Sequence, residues 1–147
     1  MPNYQFKNID VLDLKPSVGI GIKVPFDGET GINTTFTTKD AIKSNLLNFL
    51  LTGKRERVLN PLFGSGLREL LFEPITDDLN TAVKELIVDG VTQFFPNVVI
   101  NSLGVKQSPE ESIINIILNY SVINTNIQDE IQINVNNGGV QTNTIFK

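Results

Sequence analysis

The chain has 147 residues, 40% of them apolar and 19% charged, with a net charge of −4; that is length enough for one hydrophobic core, without the basic excess or basic stripe that a nucleic acid would need. It contains no histidine and no cysteine, which removes disulfides, thiolate nucleophiles, Ser-His-Asp triads and nearly all zinc and copper sites together. A carboxylate-only calcium or magnesium site is left, but no loop carries acids at the alternating positions of a calcium hand, so neither a metal nor a cofactor is expected.

The N-terminus, Met1-Pro2-Asn3-Tyr4-Gln5, lacks the basic and apolar regions of a signal peptide, and no apolar run approaches the length of a membrane span. A soluble protein made in a cytoplasm is the expectation. Within residues 1–16, Ile9, Val11, Leu12 and Leu14 are candidate anchors of an extended arm. A loose terminus and an arm that orders on a partner both fit. Residues Val18 to Phe26 alternate aliphatic residues with Gly19 and Gly21 and read as a strand. Asp27-Gly28 reads as a turn, and Ile32 to Thr37 as the returning arm of a loose hairpin.

Thr38 fits a helix N-cap with Asp40 in the first turn. The helix then runs to about Leu51 with Ile42, Leu46, Phe49 and Leu50 on one face, and Gly53 ends it. Arg55 to Phe72 is the most unusual stretch. Asn60-Pro61 marks a turn, Gly64-Ser65-Gly66 a second break, Leu67 to Phe72 a short helical turn, and Glu73-Pro74 its close. Lys54, Arg55 and Arg57 read as a solvated helix end, and the planar fork of Arg57 suits pairing with a nearby carboxylate. Thr76 then caps a second helix opened by Asp77 and Asp78. Leu79, Val83, Leu86, Ile87, Val91 and Phe94 recur in it at three and four residues. Gly90 inside that helix implies a close crossing against another element.

The remainder reads as strands. These are Val98 to Lys106, then a turn at Ser108-Pro109-Glu110, then Ser112 to Ile123, then Glu130 to Asn136 with Ile131, Ile133 and Val135 alternating inward. The second of them has Ile114, Ile116, Leu118, Tyr120 and Val122 on one face and Ile113, Ile117 and Ile123 on the other, as a central strand covered on both sides would. Asn137-Gly138-Gly139 is a turn and Val140 to Lys147 a short polar tail. The expected class is α+β: two main amphipathic helices packed on a small, mostly antiparallel sheet, with an N-terminal extended arm or hairpin. One domain is expected, with residues 1–37 as arm and hairpin, 38–97 as the helical part and 98–147 as C-terminal strands.

The central corner resembles that of the small baseplate wedge, or sheath-initiator, proteins of contractile phage tails, a family with relatives in type VI secretion and other contractile injection systems. Members carry a helix ending in Thr, then an Arg, a proline and glycine loop, and a Leu-x-x-x-Leu-Phe-Glu closure. Those positions here are Thr52, Arg57, Pro61, Gly64, Leu67, Leu71, Phe72 and Glu73, within a likeness running from about Thr38 to Val135. The resemblance implies a structural corner built by Arg57, Pro61, Gly64, Leu67 and Phe72. It implies a virion protein of the tail baseplate, assembled in the host cytoplasm in six copies per baseplate. Its implied partners are the tail sheath protein, other baseplate wedge proteins and the tail tube or hub, without nucleic acid or membrane. Where the family carries Glu-Pro-Arg, used to dock on the helical core bundle of the wedge, this chain has Phe95-Pro96-Asn97. A wedge contact there must be more apolar than charge-paired. The family's C-terminal strands resemble the part of the sheath protein that exchanges strands between neighbours, which implies a sheath contact at Ile131, Ile133 and Val135. The hairpin region Val18 to Thr37 leans towards a large T-even-like phage.

The expected function is therefore non-enzymatic: a wedge component that joins the wedge core to the first sheath ring and initiates sheath assembly. A carboxylate-dependent, lysozyme-like peptidoglycan hydrolase is the alternative, with Glu56, Glu69, Glu73, Asp77 and Asp78 as candidate acids. Such chemistry needs two carboxylates across a cleft, and the sequence places no pair so. An unrelated small α+β binding module is the third reading.

Overall fold

The computed structural model describes residues 11–14, 18–24, 32–70, 77–108, 113–136 and 139–142. A 3-10 turn over Val11–Leu14 leads to β1 (Gly21–Ile22), β2 (Thr34–Thr35), α1 (Thr38–Leu51), α2 (Leu67–Leu70), α3 (Asp77–Phe94), β3 (Val98–Ser108), β4 (Ile113–Val122), β5 (Gln128–Asn136) and β6 (Gly139–Thr142). The expected α+β class is what forms: α1 and α3 lie on an antiparallel meander in the order β3-β4-β5-β6, with β1 and β2 as a separate antiparallel pair.

The helices start and stop for local reasons. Thr37, not Thr38, is the N-cap of α1, its extended backbone (φ −118°, ψ 146°) letting its side chain accept from the Asp40 N–H. Thr38 is already helical, and its own donors go elsewhere. Its N–H and hydroxyl both donate to Asp13 Oδ1, at 2.7 and 2.8 Å. The N-terminal turn is thus held by a carboxylate at a helix start, the charge that site favours; of the aliphatic anchors expected, Leu14 is 66% exposed, and Ile9 and the side chains of Val11 and Leu12 lie outside the described residues. At the other end, α1 stops on an extended Thr52 (φ −83°, ψ 129°) and not on a left-handed glycine at Gly53.

Burial follows the helical period. Leu46, Leu47, Phe49 and Leu50 of α1, and Leu79, Val83, Ile87 and Val91 of α3, one residue in every four, are buried and form one cluster with the inner face of the sheet. Gly90 lies where α3 crosses α1. A Cβ there would stand 2.3 Å from Phe49 Cζ, so only a hydrogen fits.

In the sheet, Ile114, Ile116, Leu118, Tyr120 and Val122 of β4 alternate with half-buried residues. Both long helices pack on that one face, so the second-face cover expected from Ile113 and Ile117 does not form among the described residues. Those two stay half-buried, and Ile123 is 48% exposed. A bulge in β3 between Ile100 and Ser102 reverses the side-chain phase, so that Val98 and Ile100 before it and Leu103 and Val105 after it all pack on the core. The start of the stretch expected as a polar tail, with Gly139 of the expected turn, contributes a strand: Gly139–Thr142 pairs with Ile133–Asn136, Val140 in register with Val135. The N-terminal hairpin forms, but shorter than expected, with the Ile20 and Lys23 N–H groups donating to Thr35 and Asn33 carbonyls at 2.8 Å. Ile22 (53% exposed) and Ile32 (72%) bury too little to extend it. The turns expected at 27–28 and 109–110, the cap at Thr76 and the corner residues Leu71, Phe72 and Glu73 lie outside the described residues.

Candidate docking surfaces

The corner between α1 and α2 is a fixed object. The last carbonyls of a helix need donors, and here they are supplied from thirteen or more residues downstream. The Ser65 N–H donates to the carbonyls of Phe49 and Thr52, both at 3.1 Å, and the Ser65 hydroxyl to that of Leu50 at 2.8 Å. Ser65 is 1% exposed, so a residue that reads as part of a flexible glycine break is the remote cap of α1. Gly64 makes the approach possible. Its φ is +123°, and a Cβ would stand 2.6 Å from the Gly53 carbonyl and 2.7 Å from that of Thr52. The intervening loop is tied by Gly53 N–H to Glu56 Oε2 (2.9 Å), Arg55 N–H to the Pro61 carbonyl (2.9 Å), Asn60 N–H to the Arg57 carbonyl (3.2 Å) and Phe63 N–H to the Asn60 carbonyl (3.1 Å).

The Arg57 guanidinium lies 3.9 Å from the centre of the Phe63 ring. Among the described residues this is a cation–π contact, in place of the carboxylate partner expected for it. Phe63 meets Phe49 edge-on at 5.4 Å, Phe49 meets Phe94 and Phe95 at 5.6 and 5.7 Å, and Phe63 meets Phe94 at 5.4 Å. The corner and the Phe95-Pro96-Asn97 segment therefore share one aromatic cluster. Phe95 is half-buried in it, while Pro96 and Asn97 are exposed. That segment borders a groove of about 370 Å³ whose walls include Ile42, Phe94, Val98 and Ile123. A second groove, about 690 Å³, runs between the corner and α3, with Lys54 and Arg55 on one side and Glu85 and Asp89 on the other.

The third expected site is arranged differently. Ile131, Ile133 and Val135 are buried at 0–1% exposure, so their side chains belong to the core. What β5 offers a neighbour is backbone, since β6 covers it from Ile133 onward while Gln128–Gln132 pair only with β4 among the described residues. Behind β5, Lys43 of α1, 2% exposed, donates to Asp129 Oδ2 at 3.0 Å, and Lys39 lies 3.8 Å from the same oxygen. The only sequence trace of this link is one lysine on the core face of α1.

Among the described residues no two of the candidate acids are seen to converge, and the side chain of Asp77 lies outside them. Glu56 is engaged with Gly53, Glu69 and Asp78 are exposed, and Glu73 lies outside the described residues. Glu85 and Asp89 stand one turn apart on the same wall of their groove.

A family model described as baseplate wedge protein gp25 matches residues 37–127. Among solved structures, a chain of the anti-feeding prophage baseplate, determined by cryo-electron microscopy, superimposes with a TM-score of 0.62 at 22% identity, over 80% of this chain and 94% of that one. A candidate tail lysozyme from Geobacter sulfurreducens superimposes with a TM-score of 0.58 at 19% identity, over 76% and 96% respectively. No curated protein matches the chain significantly.

Proposed function

The chain belongs to the baseplate wedge protein gp25 family, and we propose on that footing that it is a non-catalytic baseplate component that joins the wedge core to the first sheath ring and initiates sheath assembly. The observation that carries this reading is the family match itself, which runs from the N-cap of α1 through the corner, α3 and β4 to Ile127. The wedge contact is the apolar groove beside Phe95, Pro96 and Asn97, which can bury aliphatic or aromatic side chains but offers no charge pair. The sheath contact is the β5–β6 hairpin, where main-chain hydrogen bonds provide a joint that repeats from layer to layer whatever the side chains. The reading places six copies in the virion baseplate, near the tail tube or hub, after assembly in the host cytoplasm. A hydrolase would need two carboxylates facing each other across a cleft, whereas Glu85 and Asp89 share a wall and Glu56 holds a backbone amide.

The test is capture of the purified tail sheath protein by the full chain and by a chain ending at Asn136, which lacks β6 but keeps the buried residues of β5. The expected result is at least a tenfold loss of sheath binding with an unchanged far-ultraviolet circular dichroism spectrum per residue. Equal capture by both would overturn the hairpin joint. Clearing of a cell-wall suspension by the purified chain would overturn the non-catalytic assignment.

A further inference from the structure

The turn Arg57–Asn60 carries Val58 and Leu59 at its two central positions, 94% and 99% exposed, and Leu62, 71% exposed, follows. Central turn positions ordinarily hold Gly, Pro, Asn, Asp or Ser, and three aliphatic side chains in water gain nothing from folding. The backbone beneath them is not loose. Five hydrogen bonds tie the loop, among them Glu56 N–H to the Gly53 carbonyl, and Ser65 locks its far end to α1. Arg55, at the root of the turn, is held in the left-handed region at φ 68°, a strained conformation for a residue with a side chain and one that surrounding structure has to enforce. The chain thus spends order to hold apolar groups outward.

Within the loop itself charge is one-sided as well. Lys54 and Arg55 stand exposed beside it, while the one acid of the loop, Glu56, has its carboxylate turned back onto the Gly53 N–H. A chain of net charge −4 is locally cationic here.

We infer that the Arg57–Asn60 turn is a docking knuckle. Val58, Leu59 and Leu62 enter an apolar pocket on another protein, and carboxylates on the rim of that pocket face Lys54 and Arg55. Preorganisation makes so small a tip effective, because little freedom remains to be lost on binding. A bilayer is the poorer occupant: the tip has no aromatic side chain to seat at the lipid interface. A second copy is poorer too: the groove beside Phe95 has no acid in its lining, and the groove that has Glu85 and Asp89 carries Lys54 and Arg55 on its other wall, which would repel the same cations of a partner copy. This knuckle is a contact beyond the wedge groove and the sheath hairpin, and only the choice of where to look for its partner rests on the baseplate reading.

The experiment uses the full chain and, one at a time, the purified baseplate proteins encoded with it, the sheath protein included. Wild type is compared with the double variant Val58→Asp/Leu59→Asp and with Lys54→Glu/Arg55→Glu. One non-sheath partner is expected to lose at least tenfold in affinity with either variant, and its binding to wild type to weaken as salt rises. Sheath capture and the unfolding midpoint should be unchanged, because the altered side chains are solvent-exposed. Undiminished binding of every partner to both variants overturns the knuckle. So does loss, in the aspartate variant, of a wild-type dimer seen by sedimentation or of wild-type binding to phosphatidylglycerol vesicles. Failure of every baseplate protein to bind wild type overturns the baseplate reading and the partner class with it.

Discussion

The corner and the β4–β5 ladder are built as opposites. In residues 53–66 the backbone groups turn inward, onto the end of α1 and onto one another, and the aliphatic side chains of Val58, Leu59 and Leu62 face water. In β5 the aliphatic side chains of Ile131, Ile133 and Val135 face the core, and the strand edge is what remains for a neighbour. A partner docking at the corner would be chosen by side chains, so specificity there would depend on shape and charge. A partner at the hairpin would be joined by main chain, which would suit a contact made again at each layer of an assembly. One small fold can present both because each surface is anchored to α1, the corner through Ser65 and the sheet through Lys43.

The largest expected effect breaks the sheet side of this contrast. Asp129→Ala removes the carboxylate 3.0 Å from the Lys43 ammonium, which is 2% exposed, and leaves Lys39 close by. Stripping one partner from a buried ion pair costs about 3–5 kcal/mol. Urea unfolding should register that loss, and Lys43→Met/Asp129→Leu should regain most of it, because an apolar pair needs no charge compensation. An Asp129→Ala midpoint within error of wild type would mean that the pair does not tie β5 to α1.

A smaller effect breaks the corner side. Gly64→Ala forces a side chain into φ +123° and a Cβ to within 2.6 Å of the Gly53 carbonyl. Strain of that kind costs about 1–3 kcal/mol. Hydrogen exchange should localise the damage, with the amides of Arg55 and Asn60 exchanging faster while β4 and β5 keep their protection. Faster exchange throughout the sheet would show that the two surfaces are one cooperative unit and not two.

The elements of this contrast were unequally legible in the sequence. Period alone places α1, α3 and β4, since burial stripes at four and at two residues leave few alternatives. The Gly90 crossing was legible too, as a helical residue whose cost needs a close neighbour. The β3 bulge was written in the residues, because Val98 and Ile100 keep one phase and Leu103 and Val105 the other, but a shift of phase is easily read as noise. β6 was missed because its four residues count as a strand only once β5 offers an edge. The cap role of Ser65 depends on a fold-back across 15 residues, which no local rule encodes. Val58 and Leu59 stood in plain view. Helical and strand patterns assign apolar residues to cores, and nothing in the sequence says that a turn will hold these two in water.

The smallest effect sharpens the sheet side. Tyr120 is wholly buried, and its hydroxyl has no hydrogen-bond partner among the described residues. Burial first, then the nearby charges of Asp129 and Asp40, push its ionisation well above the ordinary tyrosine range. The folded chain therefore keeps the phenolic proton at a pH where the unfolded chain gives it up. Stability from this source is complete below pH 10 and drains away as pH rises above it, by about 1.4 kcal/mol per unit once the unfolded tyrosine is ionised. Tyr120→Phe removes both the proton and the unpaired hydroxyl. At pH 7 it should be neutral or stabilising by about 1 kcal/mol, and the gap between variant and wild type should widen in the variant's favour between pH 10 and 11, read as urea midpoints. A phenylalanine variant weaker than wild type at pH 7 would assign the hydroxyl a structural bond, and the inner face of the sheet would then be held by polar contacts at Tyr120 as well as at Asp129. A variant at least as stable would leave the Lys43–Asp129 pair as a polar tie between sheet and helix to which the Tyr120 hydroxyl adds nothing.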